Sequence, residues 1–232
     1  MPQKPLHIGI ALFGGLGLRF GSSLPKQFLP CGGKPLMAYI LEAFDQSEEI
    51  DEIVVVSHKE YLSKTKEVIH ELGIRKVASI IPGGETRSAS VWAALSYLKG
   101  RGIPEDSIVL IQDGDRPGLD FDLIHRNIAA AKAAGSALTA IPSSDTCFLS
   151  KDGETMDSSL PRKEVYRAQT PQSFRFGLIY EAYQKAEGKE FTDDASVALS
   201  AGYRPAIVLG SEDNIKINYP QDLAQFNARR KP

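Results

Sequence analysis

The stretch that decides the fold is residues 7–27, HIGIALFGGLGLRFGSSLPKQ. It opens with a short, largely apolar run over residues 7–13, which predicts a buried first strand. Closely spaced glycines and two cations then follow, at Gly14, Gly15, Gly17, Arg19 and Lys26. Glycines let backbone N–H groups approach a polyphosphate, and cations neutralise its charge. The stretch therefore predicts a strand that ends in a phosphate-binding loop, although a surface loop with two solvated cations is an equally good interpretation of these residues alone.

The glycine spacing distinguishes this loop from two common nucleotide-binding motifs. A dinucleotide fingerprint requires G-x-G-x-x-G at the start of a helix. Here Phe20 stands where the third glycine belongs, and Pro25 disfavours an immediate helix. The Gly-Lys-Ser/Thr end of a Walker A loop is also absent. The sequence thus predicts an extended phosphate-gripping loop, and the displaced glycine counts against a dinucleotide-dependent reductase.

Outward from this loop, strand-like and helix-like runs alternate along the chain. Short apolar or β-branched runs predict strands at residues 53–56, 77–81, 107–111, 137–141 and 206–209. Apolar residues at helical spacing predict helices at residues 36–44, 61–72, 88–98, 123–134, 174–185, 194–201 and from Pro220 onward. Strands separated by helices imply right-handed crossovers. We therefore expect an α/β fold: a single Rossmann-like domain over residues 1–232, with a mainly parallel twisted sheet and helices on both faces.

The alternation stops at Ser143, and residues 143–167 show no helical period. Residues 146–149 are strand-like, and Asp152-Gly153 is a strong hairpin signal. A compact domain rarely carries so long an irregular segment without a use for it. We interpret residues 143–167 as a projecting β-arm that contacts a partner; the alternative is a surface hairpin without one.

Composition excludes several classes of protein. The chain is 42% hydrophobic and 24% charged, which is typical of an ordinary folded core. Its formal net charge of -2 argues against a general nucleic-acid binder. The two cysteines and four histidines have no metal-ligand spacing and no disulfide framework. No signal-peptide pattern and no membrane-spanning apolar run are visible, so we expect no membrane association and a reducing, cytoplasmic location.

The polar motifs are expected to meet at one edge of the sheet. In open parallel sheets, ligands bind outside the carboxyl ends of the strands. The glycine loop follows the first predicted strand, Gly83-Gly84 follows the third and Asp113 follows the fourth. Thr146 lies just beyond the fifth. Together these positions predict one ligand site built from loops that are far apart in the sequence.

The residue types in these motifs suit a nucleoside triphosphate. The glycine pair and Glu85 allow a flat base to approach the backbone, and Arg87 and Ser90 offer side-chain hydrogen bonds. We interpret Asp113 as a ligand for Mg²⁺, because a carboxylate beside a polyphosphate would repel it without a metal. The alternative is a strand-end carboxylate that caps the next segment. Arg116 would pair with a second phosphate or with a neighbouring aspartate.

Five motifs in this order resemble those of a known family. They are Gly-x-Gly-x-Arg with Pro-Lys-Gln in residues 15–27, Arg-x-x-Ser at 87–90, Asp-x-x-Arg-Pro at 113–117, Thr-Pro-Gln at 170–172 and Asp-Asn-Ile-Lys at 213–216. Each is weak alone, but jointly they are specific, and the resemblance covers residues 8–223. The chain is similar to the 2-C-methyl-D-erythritol 4-phosphate cytidylyltransferases and nearly as similar to the ribitol-5-phosphate cytidylyltransferases, which both belong to the sugar-nucleotidyltransferase group.

The resemblance implies a role for each matching residue. Charge stabilisation in the transition state is implied for the catalytic residues Arg19, Lys26 and Lys216. Nucleotide binding is implied for Gly14, Gly15, Gly17, Gly84, Glu85, Arg87, Ser90 and Asp113. Binding of the polyol phosphate is implied for Asp113, Arg116, Thr146, Arg162, Thr170 and Thr192. Asp113 would also hold the divalent cation, and the arm of this family reaches into the neighbouring subunit's site, which implies a homodimer with shared sites.

The chain departs from the family's pattern in a few places. Phe13-Gly14 replaces the usual Ala-Ala, and Gln112 replaces the usual histidine. Gly114 and Asp115 stand where two small residues are usual, and Asp115 adds a negative charge beside the phosphates. None of these departures removes a cation or Asp113, so we still expect activity.

The motifs also bear on the acceptor. Residues 192–196 and 213–216 resemble the methylerythritol enzymes more closely, whereas residues 28–35 fit both families. The expected reaction joins CTP and 2-C-methyl-D-erythritol 4-phosphate to a CDP-linked polyol and releases pyrophosphate, in isoprenoid precursor biosynthesis. One alternative is ribitol 5-phosphate as the acceptor. The other is a nucleotide-binding regulator without turnover, for which Phe13 and Asp115 are the supporting features.

Overall fold

Seven strands form one central sheet in the computed structural model, which describes residues 4–15, 20, 24–186, 189 and 191–229. In chain order the described strands are β1 His7–Phe13, β2 Pro30–Cys31, β3 Lys34–Pro35, β4 Glu52–Ser57, β5 Val77–Pro82, β6 Ile108–Asp113, β7 Ser136–Pro142, β8 Phe148–Leu149, β9 Ser158–Ser159, β10 Tyr166–Arg175 and β11 Ala206–Leu209. The short strands β2 and β3 pair with each other, and so do β8 and β9. The other seven make up the central sheet.

The α-helices follow the strands in the predicted alternation. They are α1 Leu36–Gln46, α2 Leu62–Glu71, α3 Arg87–Gly100, α4 Phe121–Ala134, α5 Phe176–Lys185, α6 Asp194–Ser200 and α7 Pro220–Arg229. Within the described ranges, none of these helices has the length and apolar character needed to cross a membrane.

The order of strands confirms the mainly parallel sheet. It runs β11-β7-β10-β6-β1-β4-β5. β1 is parallel to both β4 and β6, β4 is parallel to β5, and β7 is parallel to β11. Among the described strands of the central sheet, only β10 runs antiparallel, between β6 and β7. The carboxyl ends of the six parallel strands therefore share one edge of the sheet, where the sequence places its polar motifs.

Alternating side chains of β1 supply both faces of the sheet. Ala11 and Phe13 belong to a core with residues of α1, α2 and α4, whereas Ile8, Ile10 and Leu12 belong to a second core with residues of α3, α5 and α6. Successive side chains of a strand point to opposite faces, so an apolar strand needs a helical layer on each side. The predicted helices on both faces, and hence the Rossmann-like α/β fold, are confirmed.

β10 is the strand that the sequence pattern does not predict. Residues 169–172 are polar or proline, Gln-Thr-Pro-Gln, and yet all are buried. Their polar groups are satisfied inside the protein: Thr139 Oγ1 donates to the Pro171 carbonyl at 2.6 Å, and Asn214 Nδ2 donates to the Thr170 carbonyl at 2.8 Å. The pairing register with β7 shifts between Ala168 and Gln172, which accommodates a proline without an N–H. Because β10 continues to Arg175, α5 starts at Phe176 and not at residue 174 as predicted.

The arm of residues 143–167 contains the hairpin that the Asp152-Gly153 signal indicates. It carries β8 and β9, and Gly153 has a φ of +77° in the turn. The strand-like run at residues 146–149 is shorter than expected, because only Phe148–Leu149 pair. Phe148, Leu149 and Met156 are each more than half exposed. Contact of this arm with a partner stays a prediction.

Candidate active site

A cavity of about 640 Å³ lies at the carboxyl ends of β1, β4, β5 and β6. The predicted site residues that line it are Gly14, Gly15, Lys26, Gly84, Glu85, Arg87, Ser90, Asp113 and Lys216. The topology of the sheet is what brings these loops together, since β6, β1, β4 and β5 are consecutive neighbours. His58, which follows β4, and Thr86 also line the cavity without having been predicted.

The glycine turn after β5 is held against the start of α3. Thr86 caps this helix, because its Oγ1 accepts a hydrogen bond from the Ala89 N–H at 3.0 Å. Ser90 Oγ accepts from the Gly84 N–H at 3.2 Å and donates to the Thr86 carbonyl at 3.0 Å. A Cβ at Gly84 would lie 2.5 Å from the Cβ of Ala89. Only glycine fits this close approach, and Ser90 fixes the backbone that faces the cavity.

Alternating charges cross the floor of the cavity. Lys26 Nζ lies 2.6 Å from Asp115 Oδ2 and donates to the Ile217 carbonyl at 2.9 Å. Lys216 Nζ lies between two carboxylates, 3.0 Å from Asp113 Oδ2 and 3.7 Å from Asp115 Oδ1. The loop that carries Lys26, the loop after β6 and the segment before α7 are therefore tied together by charge.

The same row of charges continues to the opposite wall. Asp113 Oδ1 accepts a hydrogen bond from Arg87 Nε at 2.9 Å. The Arg87 guanidinium also forms a two-point contact with the fully buried carboxylate of Asp194, at 3.1 and 2.6 Å. The Tyr183 hydroxyl donates to Asp194 Oδ1 at 2.6 Å. Such paired contacts fix a guanidinium in orientation as well as in position, so Arg87 is held rigidly beside Asp113.

The pKa values of Asp113 and Arg87 keep both side chains charged at neutral pH. Burial opposes ionisation of the Asp113 carboxyl, but the positive charges of Arg87 and Lys216 outweigh it and hold the pKa of Asp113 well below its usual range. Burial likewise opposes the charge of Arg87, but Asp194 and Asp113 outweigh it and raise the pKa of Arg87 above its usual range. The cavity thus presents fixed cations and a fixed carboxylate.

Thr170 and Arg116 hold the loop after β6 in place. Thr170 Oγ1 accepts a hydrogen bond from the Asp113 N–H at 3.1 Å. The Arg116 guanidinium donates to the backbone carbonyls of Asn214 and Ala168, at 2.9 and 3.2 Å. These contacts tie the loop after β6 to the segment that carries Lys216 and to β10. Among the described residues, the hydrogen bonds of the Arg116 guanidinium go to these backbone carbonyls and not to Asp113 or Asp115, and pairing of Arg116 with a phosphate stays a prediction.

Several predicted residues lie away from the cavity or outside the described ranges. Thr146, Arg162 and Thr192 are exposed and do not line the cavity of this chain. Gly17 and Arg19 lie outside the described residues.

The departures from the family's pattern have local reasons. Phe13 is buried in the core, and a Cβ at Gly114 would lie 2.4 Å from its Cδ1 and 2.3 Å from the Leu12 carbonyl oxygen. The large side chain of Phe13 is therefore accommodated by the absence of a side chain at Gly114. Gln112 is fully buried, and its Nε2 donates to the Arg116 carbonyl at 2.8 Å, so it supports the turn that carries the site residues.

Asp194 and His58 are site residues that carry no role in the sequence-based prediction. His58 follows β4 as the glycine motifs follow β1 and β5, so the same sheet-edge argument points to it. Asp194 lies in the Thr-Asp-Asp-Ala-Ser segment used for the resemblance, but its partner Arg87 is 107 positions away. A contact over that separation has no local sequence signal.

Comparisons with known proteins agree with this geometry. The model of the 2-C-methyl-D-erythritol 4-phosphate cytidylyltransferase family matches residues 9–229. The chain belongs to this family. A family member from Syntrophotalea carbinolica is 41% identical over 217 residues, which cover 92% of this chain and 91% of that protein. One from Thermosipho africanus is 37% identical over 93% of this chain and 94% of its own length.

Solved structures of the family share the fold. The Thermus thermophilus enzyme of the same name superimposes with a TM-score of 0.72 at 31% identity, covering 94% of this chain and 96% of its own. A 4-diphosphocytidyl-2C-methyl-D-erythritol synthase from Anaerococcus prevotii gives a TM-score of 0.82 at 28% identity, covering 97% and 96%. The prediction of a CTP-dependent nucleotidyltransferase is therefore confirmed. The same comparisons support 2-C-methyl-D-erythritol 4-phosphate over ribitol 5-phosphate as the acceptor, and an enzyme over an inactive regulator.

Proposed function

We propose that the residues of the cavity carry out the family's reaction in the roles that the sequence implies. CTP and 2-C-methyl-D-erythritol 4-phosphate are the substrates, and the CDP-linked polyol and pyrophosphate are the products. The observation that supports this most directly is the convergence of Lys26, Lys216, Arg87 and Asp113 on one cavity beside a glycine turn. The product would enter isoprenoid precursor biosynthesis.

Positioning and charge stabilisation would carry the chemistry. An oxygen of the acceptor's phosphate attacks the α-phosphorus of CTP in line, and pyrophosphate leaves. No covalent enzyme intermediate is needed, so the site requires no nucleophilic side chain. The backbone at Gly84 and the side chain of Glu85 would hold the base and ribose. Lys26 and Lys216 would stabilise the negative charge that develops around the α-phosphorus, because their ammonium groups are already fixed at the cavity floor.

Asp113 is the residue that would hold Mg²⁺. The carboxylate lines the cavity, and its lowered pKa keeps it ionised. No group of three or more His, Cys, Asp or Glu side chains suited to a metal occurs in the described ranges, which fits an ion that takes one or two protein carboxylates and completes its shell with phosphates and water. When bound, the ion would neutralise charge on the triphosphate.

The metal role can be tested separately from turnover. Asp113→Asn should raise the Mg²⁺ concentration needed for half-maximal activity as well as lower the maximum rate. It should also weaken the Mg²⁺ dependence of CTP binding measured by calorimetry. An unchanged Mg²⁺ titration in both measurements would leave Asp113 with a structural role only.

We also propose a homodimer in which residues 143–167 cross to the partner's site. Two observations support it: Arg162 and Thr146 are exposed and do not line the cavity of their own chain, and the arm exposes Phe148, Leu149 and Met156. Solvent-exposed apolar side chains grouped on one segment are typical of an interaction surface. A cytoplasmic location is proposed too, because two cysteines in the whole sequence do not make up the disulfide framework that is common in small secreted domains.

The proposed reaction is tested by incubating the protein with CTP, Mg²⁺ and each candidate acceptor. We expect pyrophosphate and a CDP-linked product with 2-C-methyl-D-erythritol 4-phosphate. Product formation with ribitol 5-phosphate alone would change the acceptor. CTP binding without pyrophosphate release with either acceptor would favour a regulator instead.

A further inference from the structure

Asp115 has a setting that the family's reaction does not account for. It stands where the family's pattern has a small residue, yet its side chain is only 14% exposed, at the floor of the cavity. Its Oδ2 lies 2.6 Å from Lys26 Nζ. Its Oδ1 is buried and has no hydrogen-bond partner among the described residues; it lies 3.7 Å from Lys216 Nζ. A desolvated carboxylate is costly unless cations compensate it, so Asp115 depends on the two lysines.

These two lysines are the cations that the reaction needs. Their ammonium groups converge on the Asp115 carboxylate in the way they would converge on a phosphate. A carboxylate and a phosphate are both oxygen anions that accept hydrogen bonds from ammonium groups. In the nucleotide-free protein, Asp115 therefore acts as an internal anion at the position where the triphosphate must be held. Lys26 keeps a second contact, to the Ile217 carbonyl, which does not compete with a phosphate for charge.

Asp115 also changes the charge of the row of ion pairs at the cavity floor. Among the described residues, this row contains three cations, Lys26, Lys216 and Arg87, and three carboxylates, Asp113, Asp115 and Asp194. The row is therefore neutral, and with a small residue in place of Asp115 it would carry one net positive charge. A neutral row attracts a triphosphate less than a positive one does, and the fixed carboxylate repels it at short range.

We propose that Asp115 is a built-in counter-ion that competes with the triphosphate for Lys26 and thereby lowers the affinity of the site for CTP and for pyrophosphate. The inference rests on the proposed function of the cavity. Binding of CTP breaks the Lys26–Asp115 contact, and departure of pyrophosphate restores it. Asp115 is thus an affinity-determining residue that keeps Lys26 in place between turnovers and favours release of the product.

The test is a calorimetric titration of the full-length protein with CTP, with Mg²⁺-pyrophosphate and with cytidine. Asp115→Asn keeps the shape of the side chain and a hydrogen-bond acceptor but removes the charge. We expect CTP and pyrophosphate to bind about tenfold more tightly, or ~1.4 kcal/mol, and cytidine to bind as in the wild type. In steady-state assays the KM for CTP should fall, while kcat falls or stays constant and inhibition by pyrophosphate becomes stronger.

Two further variants control for folding and for net charge. Asp115→Ala places a small residue there, as in the family's pattern, and should show the same direction if Asp115→Asn folds poorly. Glu52→Gln removes one negative charge from a surface pair with Arg101 at the start of β4, the opposite end of the strand from the cavity. It should leave all three affinities unchanged.

Each outcome decides one point. If the wild type binds no CTP, the proposed function fails. If the wild type binds CTP but both Asp115 variants bind it equally well or more weakly, the counter-ion role is overturned, and weaker binding would assign Asp115 to ordering Lys26 or to holding the metal. Tighter binding of cytidine as well would also overturn it, because the effect would then not act through the phosphates.

Discussion

The cavity floor and the arm are opposite in how they are built. At the floor, charged contacts of 2.6 to 3.7 Å join three half-buried cations, Lys26, Lys216 and Arg87, to the carboxylates of Asp113, Asp115 and Asp194. On the arm, Arg162 lies in a 3₁₀ turn with its side chain exposed. Under the proposed function, one chain builds the nucleotide half of the site by itself, and we expect the acceptor half to need the arm of a partner chain.

Removing the charge of Asp194, the most deeply buried carboxylate of the cavity floor, should have the largest effect on stability. Asp194→Asn removes the charge that faces Arg87 in a fully buried position. Removal of one partner of a buried pair costs about 3 to 5 kcal/mol, which lowers the midpoint of thermal unfolding by roughly 6 to 20 °C for a chain of this size. Scanning calorimetry measures this, and Glu212→Gln on the exposed Arg167 pair is the control, with a change within about 0.5 kcal/mol. Equal shifts for both variants would show that the Arg87 contact is not stabilising.

The next largest effect concerns the chemistry. Lys26→Ala should lower kcat by about 100- to 1,000-fold, because a fixed charge aimed at developing negative charge is worth roughly 3 to 4 kcal/mol. The affinity for CTP should fall by a much smaller factor. Stopped assays of pyrophosphate release give kcat, and calorimetry gives the affinity. A variant that turns over within a few-fold of the wild type would remove Lys26 from the catalytic residues.

A smaller effect tests the fit of Phe13 with Gly114. Gly114→Ala should destabilise by about 1 to 3 kcal/mol, because the added Cβ collides with the Phe13 ring and the Leu12 carbonyl. Phe13→Ala in the same chain should relieve part of this cost, so a double-mutant cycle should show coupling of at least about 0.5 kcal/mol. Chemical denaturation of the four proteins measures it. Purely additive costs would show that Phe13 and Gly114 are not energetically coupled.

The smallest expected change concerns the arm. Arg162→Ala should raise the KM for the acceptor about tenfold, since a hydrogen bond to a charged group is worth about 1.5 to 3 kcal/mol, and should leave CTP binding constant. Lys163→Ala, one position further in the same exposed turn, is the matched control and should change neither. If the two variants behave alike, the arm acts through its net charge and not through a contact of Arg162.

The sequence predicts those parts of the molecule that depend on local patterns, and it does not predict those that depend on contacts between distant residues. Local patterns suffice for the alternation of strands and helices, and the sheet-edge argument places Gly84, Asp113 and Lys26 correctly at one cavity. β10 escapes prediction because its buried Gln169 and Gln172 are satisfied by partners distant in the chain, such as Ser211 and Asp193. A polar strand of this kind has no apolar period to reveal it.

The protein contacts of the site side chains are predicted less well than their positions. Pairing of Arg116 with Asp113 or Asp115 is one expectation from the sequence, but its guanidinium bonds to backbone carbonyls that only the folded chain brings near. Ser90 lines the cavity as expected, yet its hydroxyl holds the glycine turn. Asp194 was not predicted, because nothing near it in the sequence shows that Arg87 will face it.

In the proposed homodimer, each site combines the cavity floor of one chain with the arm of the other chain. The measurement that tests it most directly mixes Lys26→Ala protein with Arg162→Ala protein and allows subunits to exchange. In a dimer with shared sites, each heterodimer has one site with both substitutions and one site with neither, so activity should partly return. If each chain completes its own site, every site keeps one substitution and mixing restores nothing. Absence of recovery, with exchange verified by mass spectrometry of tagged subunits, would contradict the crossing arm.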